Sequence, residues 1–333
     1  MLSGPPDYTR VSAAGLPVGG GEGGVPRGLP APAGRPGEPC PPAAAASCAA
    51  VILFLAFAAL PSGSAAADAQ GDRAEADPVP VRVMAGSSLI ADIVMDLLVD
   101  EGAEILTLAS PTVPPEGDDL GSAPPAFAAE ADLLLVHGFQ ADQHLFRRLV
   151  RSSGNWSLRM IIIQAPGSWQ IPESQRMASE LTATALAEAM PARAGIVRTR
   201  LARRLKALEA LESEAGILAG SLRRCPVAAS EMQAGFLAWA GLDVVWSFGG
   251  TRSQGGPPQR PPAGLAAELV ADDLQTGGGA GEDVSRELGI PLAVLSSFPG
   301  TPEDSPDYFS LVRGNLRRLA EARHGPPPPE GVR

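Results

Sequence analysis

Groups able to bind a soft metal or act as nucleophiles are scarce in this sequence. It holds three histidines, His137, His144 and His324, and three cysteines, Cys40, Cys48 and Cys225. Zinc is held by imidazole and thiolate ligands in tetrahedral sets. His324 falls in a proline-rich tail, and Cys40 and Cys48 precede the body of the chain. Neither a zinc ribbon nor a disulfide framework can be assembled from what remains. His137 ends an apolar run and His144 lies in the helix after it, so both read as satisfied or surface residues. Cys225, at the start of a strand, reads as a small buried hydrophobe. No G-x-S-x-G, no Walker loop and no G-x-G-x-x-G after a strand occurs. The run GGGAG at Gly277–Gly281 precedes a helix, where backbone N–H groups could cradle a phosphate. It lacks the Lys-Ser/Thr of phosphate loops and reads as a flexible loop.

The elements that would position any site alternate in type. Val81–Met84 is a short strand, and Leu89, Ile90, Ile93, Leu97 and Leu98 follow at helical spacing. Strands are expected at Ala103–Leu108, Asp132–Val136 and Met160–Gln164, with helices at Ala126–Ala131 and Gln140–Ser152. Helix Glu173–Met190 is stopped by Pro191. Ala192–Leu222 is then one long helix with Val197, Leu201, Leu205, Leu208 and Leu211 on a face, and Leu205 and Leu208 are expected in the core. The stripe is short for a coiled coil and suits a connector packed on a core. Strands return at Pro226–Ala229, Leu242–Ser247 and Leu292–Leu295, with helices at Gln233–Ala240, Gly264–Ala271, Asp283–Leu288 and Asp307–Ala322. The predicted fold is α/β: two lobes, each a parallel sheet flanked by helices, joined by a long connecting helix. The lobes span 81–190 and 223–322, the connector 191–222, and a disordered tail 323–333.

The chain has 333 residues and a formal net charge of −11. Arg10, Arg27 and Arg35 balance Asp7, Glu22 and Glu38 in the N-terminal region, so the acidity lies in the body. An acidic body argues against nucleic acid as partner and is compatible with a cationic ligand. Met1–Pro42 is rich in proline and glycine and is expected to be disordered. The uncharged apolar run Ala43–Leu60, followed by small residues, reads as a secretory signal with cleavage near Ala65–Ala69. An uncleaved anchor is the competing reading, since about 18 apolar residues is the lower limit for spanning. Either places the body in the periplasm or otherwise outside the cytoplasmic membrane.

Several segments then carry a family likeness. SSLIADIVMDL, FAAEADLLLVHGFQADQHL, GSWQIPESQRMASELTATALAEAMP, PVAASEMQAGFLAWAGLDVV, ELGIPLAVL and DYFSLVRGNLRRLAEA occur in that order between Val81 and Ala322. Together they resemble the zinc/manganese solute-binding proteins of ABC transporters. The resemblance implies a non-enzymatic, monomeric protein that captures a divalent cation between its lobes and delivers it to a membrane permease. It also implies a ligand set of histidines and a carboxylate. Here those positions fall on Glu116, near Gly167 with Trp169 at the aromatic place, on Glu231, and near Phe298 with Glu303 and Asp304 just beyond. The metal ligands it leaves are Glu116, Glu231 and Asp304. Such oxygen ligands would suit manganese or another hard cation rather than zinc. The alternative is that no metal is bound and that the cleft, with Trp169, Trp239, Trp246 and Phe248, takes an organic ligand or a partner protein. Glu116 and Glu231 as paired catalytic carboxylates is a further alternative.

Overall fold

The structure is a computed structural model that describes residues 8–12, 80–109, 125–249, 260–277, 279–300 and 305–324. Glu116, Glu303, Asp304, the apolar run 43–60 and the proline-rich loop 250–259 lie outside the described residues. The first lobe contains β2 (Arg82–Ala85), α1 (Ser88–Leu98), β3 (Glu104–Thr107), α2 (Pro125–Glu130), β4 (Leu133–His137), α3 (Gly138–Ala141), α4 (His144–Ser152), β5 (Arg159–Gln164) and α5 (Pro172–Ala189). Its strands are parallel, in the order β5-β4-β2-β3, and β1 (Tyr8–Ser12) adds in parallel to the β5 edge. The expectation of a disordered leader therefore fails at these five residues, whose ladder to Met160–Gln164 supplies hydrogen bonds to an otherwise open edge.

Alternation along β2, β4 and β5 sends side chains to two cores. Val83, Ala85, Leu133, Leu135, Ile161 and Ile163 pack with Ile90, Ile93 and Leu97 of α1 and with Leu186 of α5. Met84, Leu134, Val136, Met160 and Ile162 pack on the other face with Ala128 of α2 and with Phe146, Leu149 and Val150 of α4.

A bend at Pro191–Arg193 leads into α6 (Ala194–Leu218), which packs against α1 and α5 of the first lobe and against α9 of the second. Its buried stripe is Val197, Arg204, Leu208, Leu211 and Ala215. Leu208 is in the core as expected, but Leu205 is only partly buried, because Arg204 takes the core-facing position beside it. Leu205→Ala is therefore expected to cost about 1–2 kcal/mol rather than the 2–5 of a fully buried leucine. Urea unfolding of the two proteins would measure it, and a loss above about 3 kcal/mol would contradict the partial burial.

The second lobe holds β6 (Pro226–Ser230), α7 (Glu231–Trp239), β7 (Asp243–Phe248), β8 (Leu269–Asp273), α8 (Gly279–Leu288), β9 (Leu292–Leu295) and α9 (Tyr308–His324). Its four strands are parallel, in the order β7-β6-β8-β9. Residues 264–271, expected to be helical, instead enter β8, which is fully buried between β6 and β9. Arg323 and His324, placed in a disordered tail by the sequence, close α9. The glycine run does not cradle an anion at Gly281. The Gly281 N–H donates to Asp272 Oδ2 at 2.7 Å, and a Cβ at Gly281 would lie 2.5 Å from Asp272 Cβ, so a carboxylate already holds that helix start. Among the described residues no helix is long and apolar enough to cross a membrane.

The lobes share contacts besides α6. Leu89 of α1 belongs to the second lobe's core, and Trp169 packs against the cores of both lobes. The Tyr308 N–H donates to Asp92 Oδ1 at 3.0 Å, tying α9 to α1.

Candidate functional site

In open parallel sheets, ligands bind beyond the carboxyl ends of the strands. The first lobe presents there Ser87 after β2, His137 at the end of β4, and Trp169 and Gln170 after β5. The second presents Glu231 after β6, Asp273 at the end of β8, and Ser296 and Ser297 after β9.

In the first lobe, Ser87 Oγ and His137 Nε2 are 2.6 Å apart, and Ser87 Oγ caps α1 by accepting from the Ile90 N–H at 3.4 Å. Gln140 fixes the turn beside them: its Nε2 donates to the Gly86 carbonyl at 2.9 Å and its Oε1 accepts the His137 N–H at 3.0 Å. A Cβ on residue 86 would sit 2.3 Å from that Oε1 and 3.3 Å from the Leu135 carbonyl oxygen, so a larger residue there would displace the Gln140 amide from this arrangement. The His137 ring stacks on Phe139 at 5.1 Å and meets Trp169 edge-on at 4.1 Å. Burial pushes its imidazole pKa down to about 3. It is a neutral, caged ring, buried as the sequence suggests but satisfied at Nε2 alone. Its Nδ1 and Ser88 Oγ are buried without a hydrogen-bond partner.

The lobes meet in a polar node. Gln170 Nε2 donates to Ser297 Oγ across the junction at 2.6 Å. Gln233 Nε2 of α7 donates to Asp273 Oδ2 at 2.7 Å and lies 3.0 Å from Ser297 Oγ. The Ser297 hydroxyl donates to the same Asp273 oxygen. Asp273 Oδ1 accepts the N–H groups of Gln275 and Thr276 at 3.0 and 3.2 Å. Burial raises the Asp273 carboxyl pKa, while these hydrogen bonds from Ser297, Gln233 and the backbone work against the rise. The Tyr308 hydroxyl donates to the Gln170 carbonyl at 3.0 Å and closes the node from α9. Two amide oxygens, Gln170 Oε1 and Gln233 Oε1, are buried there with no partner.

The sequence-derived positions fare differently. Glu231 stands exposed at the first position of α7. Gly167 has φ of 76° and offers no side chain, and a Cβ there would meet Ser174 Oγ at 3.0 Å. Phe298 is buried in the second lobe's core, and its neighbour Ser297 is the residue that reaches the junction. Gln170, Gln233, Asp273 and Ser297 were not read as site residues. The acid pair Asp272–Asp273 is the available signal, passed over because the helix expected at Gly264–Ala271 stops short of it and hides the strand Leu269–Asp273 that carries it. Among the described residues no cluster of three or more His, Cys, Asp and Glu could hold a metal ion. What the node offers chemically is oxygen: one saturated carboxylate, the hydroxyls of Ser297 and Tyr308, and two free amide carbonyls.

No protein-family model matches the chain, and no curated protein matches it. Solved structures do. ZnuA superposes with a TM-score of 0.59 at 16% identity, covering 73% of this chain and 99% of its own. A Mn-bound periplasmic metal-binding protein from Candidatus Liberibacter asiaticus gives 0.57 at 14%, covering 72% and 98%. A zinc-bound deletion mutant of ZnuA gives 0.57 at 15%, covering 74% and 100%. Two parallel sheets joined by α6, with their carboxyl ends meeting at one node, are thus the two-lobed fold of these periplasmic metal-binding proteins.

Proposed function

We propose that this chain is an extracytoplasmic solute-binding protein that takes a divalent cation at the lobe junction and passes it to an ABC permease in the membrane. The observation that carries the reading is the convergence of both sheets' carboxyl ends on a node whose free donors, Gln170 Oε1 and Gln233 Oε1, are oxygens. The known structures of this fold, including Mn-bound and zinc-bound ones, support it. Oxygen donors favour manganese, magnesium or calcium over zinc. In this reading Glu231 is an anionic ligand, with Glu116 and Asp304 supplying the others, and no catalytic step is involved. Export by the Ala43–Leu60 signal places the protein where such a task is performed.

Calorimetry with manganese, calcium and zinc on the wild type and on Glu116→Gln with Glu231→Gln tests it. The expected result is binding of a hard cation that the double change abolishes and that weakens as pH falls toward about 4.3, the carboxylate range. Tight zinc binding untouched by the double change would refute the ligand assignment. A second reading is favoured by the node itself, since Asp273 is already saturated and Gln170 bonds directly to Ser297. If the wild type binds no cation, the cleft serves an organic ligand or a partner protein instead.

A further inference from the structure

The charge of this protein is unevenly distributed. Against a net charge of −11, residues 143–164 hold Arg147, Arg148, Arg151 and Arg159 and no Asp or Glu. Arg147, Arg148 and Arg151 are exposed on α4, and Arg159 is half-buried at the start of β5. Arg147 pairs with Asp142 at 2.8 Å, while Arg148 and Arg151 have no ion-pair partner among the described residues. The acids of the neighbouring α2 segment are engaged elsewhere: Glu130 pairs with Arg82, and Asp132 accepts the Arg82 N–H. In the loop that follows α4, the Trp156 side chain stands 77% exposed. The apolar face of α4 is spent on the core through Phe146, Leu149 and Val150. The three arginines of α4 reach outward together with His144, on the sheet face opposite α1, α5 and α6; Asp142, the exposed acid next to them, is taken by Arg147, and Trp156 stands out of the loop just beyond.

We propose that this face of the first lobe docks on the anionic headgroups of a phospholipid membrane. Arginines exposed on one side of a helix pair with phosphate groups at an anionic surface. A protruding tryptophan partitions into the headgroup layer, where its ring is shielded and its N–H stays hydrated. Because no apolar helix face is free to insert, the attachment is peripheral, reversible and sensitive to salt. It leaves the carboxyl ends of both sheets uncovered. The proposal rests on charge complementarity and on Trp156, and it stands whether or not the protein carries a cation.

Co-sedimentation of the full chain tests it, with vesicles of phosphatidylcholine alone and of an equimolar phosphatidylglycerol–phosphatidylcholine mixture. Stronger binding to the anionic vesicles at low salt is expected, and its loss in high salt. Each of Arg148→Gln and Arg151→Gln should weaken that extra binding about fivefold. Quenching of tryptophan fluorescence by brominated lipid should fall sharply in Trp156→Phe, which retains bulk and so reports location rather than folding. Equal binding to both vesicle types, no binding to either, or no effect of the arginine changes would overturn the proposal. The last two would leave an acidic protein partner as the occupant of the patch.

Discussion

Arg204→Ala should destabilise the protein by about 3–5 kcal/mol, the loss typical of breaking one side of a buried ion pair. Arg204 is 3% exposed in the middle of α6. Its Nη2 donates to Asp92 Oδ2 at 2.8 Å and lies 3.2 Å from Gln175 Oε1, and its Nε donates to Ser179 Oγ at 3.0 Å. Nη1 pairs with Asp96, and the guanidinium lies over the Phe309 ring at 5.4 Å. One cation thereby joins α1, α5, α6 and α9. Burial raises the Asp92 carboxyl pKa and Arg204 opposes that rise, so removing the arginine strands a charge in the core. The cost should be largely relieved in the double variant Arg204→Met with Asp92→Asn, where the charge left behind is that of Asp96, whose side chain is 45% exposed and can be solvated. Urea unfolding of the wild type, Arg204→Met, Asp92→Asn and their combination closes the cycle, and Arg204→Ala is measured beside it. A loss below about 1 kcal/mol for the single change would show that the pair is solvated.

His137 should make stability fall on mild acidification. Its folded-state pKa of about 3 lies below the value of about 6.5 for a free imidazole. The unfolded chain therefore takes up the proton first as pH drops. The stabilisation is complete above about pH 6.5 and is lost progressively on the way down to 3. One proton amounts to about 1.4 kcal/mol per pH unit, or about 2 kcal/mol between pH 6.5 and 5. Among the described residues, Ser87, Phe139 and Trp169 meet the ring, and none of the three carries a charge that would hold an imidazolium. Asp92 and Asp273 act oppositely, since raised carboxyl pKa values favour the fold as pH falls. The informative quantity is thus the difference between the wild type and His137→Gln. Chemical unfolding at several pH values should show a steeper acid loss in the wild type. Parallel curves would mean that the ring is reached by water.

Most of the scaffold was legible because apolar periodicity is a strong signal in buried strands and long helices. LLLV and MIIIQ read as strands and are strands, and the leucines of α6 set its facing correctly at Leu208 and Leu211. The misreadings share a cause. Arg204 occupies a stripe position but is charged, so periodicity counted around it rather than through it. The run LAAELVADD is rich in helix formers, and only burial on both sides by β6 and β9 makes its second half a strand. That error concealed Asp273. The rest of the node, Gln170, Gln233 and Ser297, is made of uncharged side chains whose role exists only when two distant loops meet. Glu231 was legible as an acid after a strand, but its exposure was not.

The sharing of Leu89 with the second lobe's core, with Asp92 holding the start of α9 and Gln170 holding Ser297, has a bearing on how this architecture can change over time. The two halves look alike as sheets wrapped by helices, yet neither is a cassette. A recombination breakpoint within α6 would separate each half from side chains that complete its interior. Exchange with a relative must then carry α1, α6 and α9 together, so inheritance sees one module where the topology shows two.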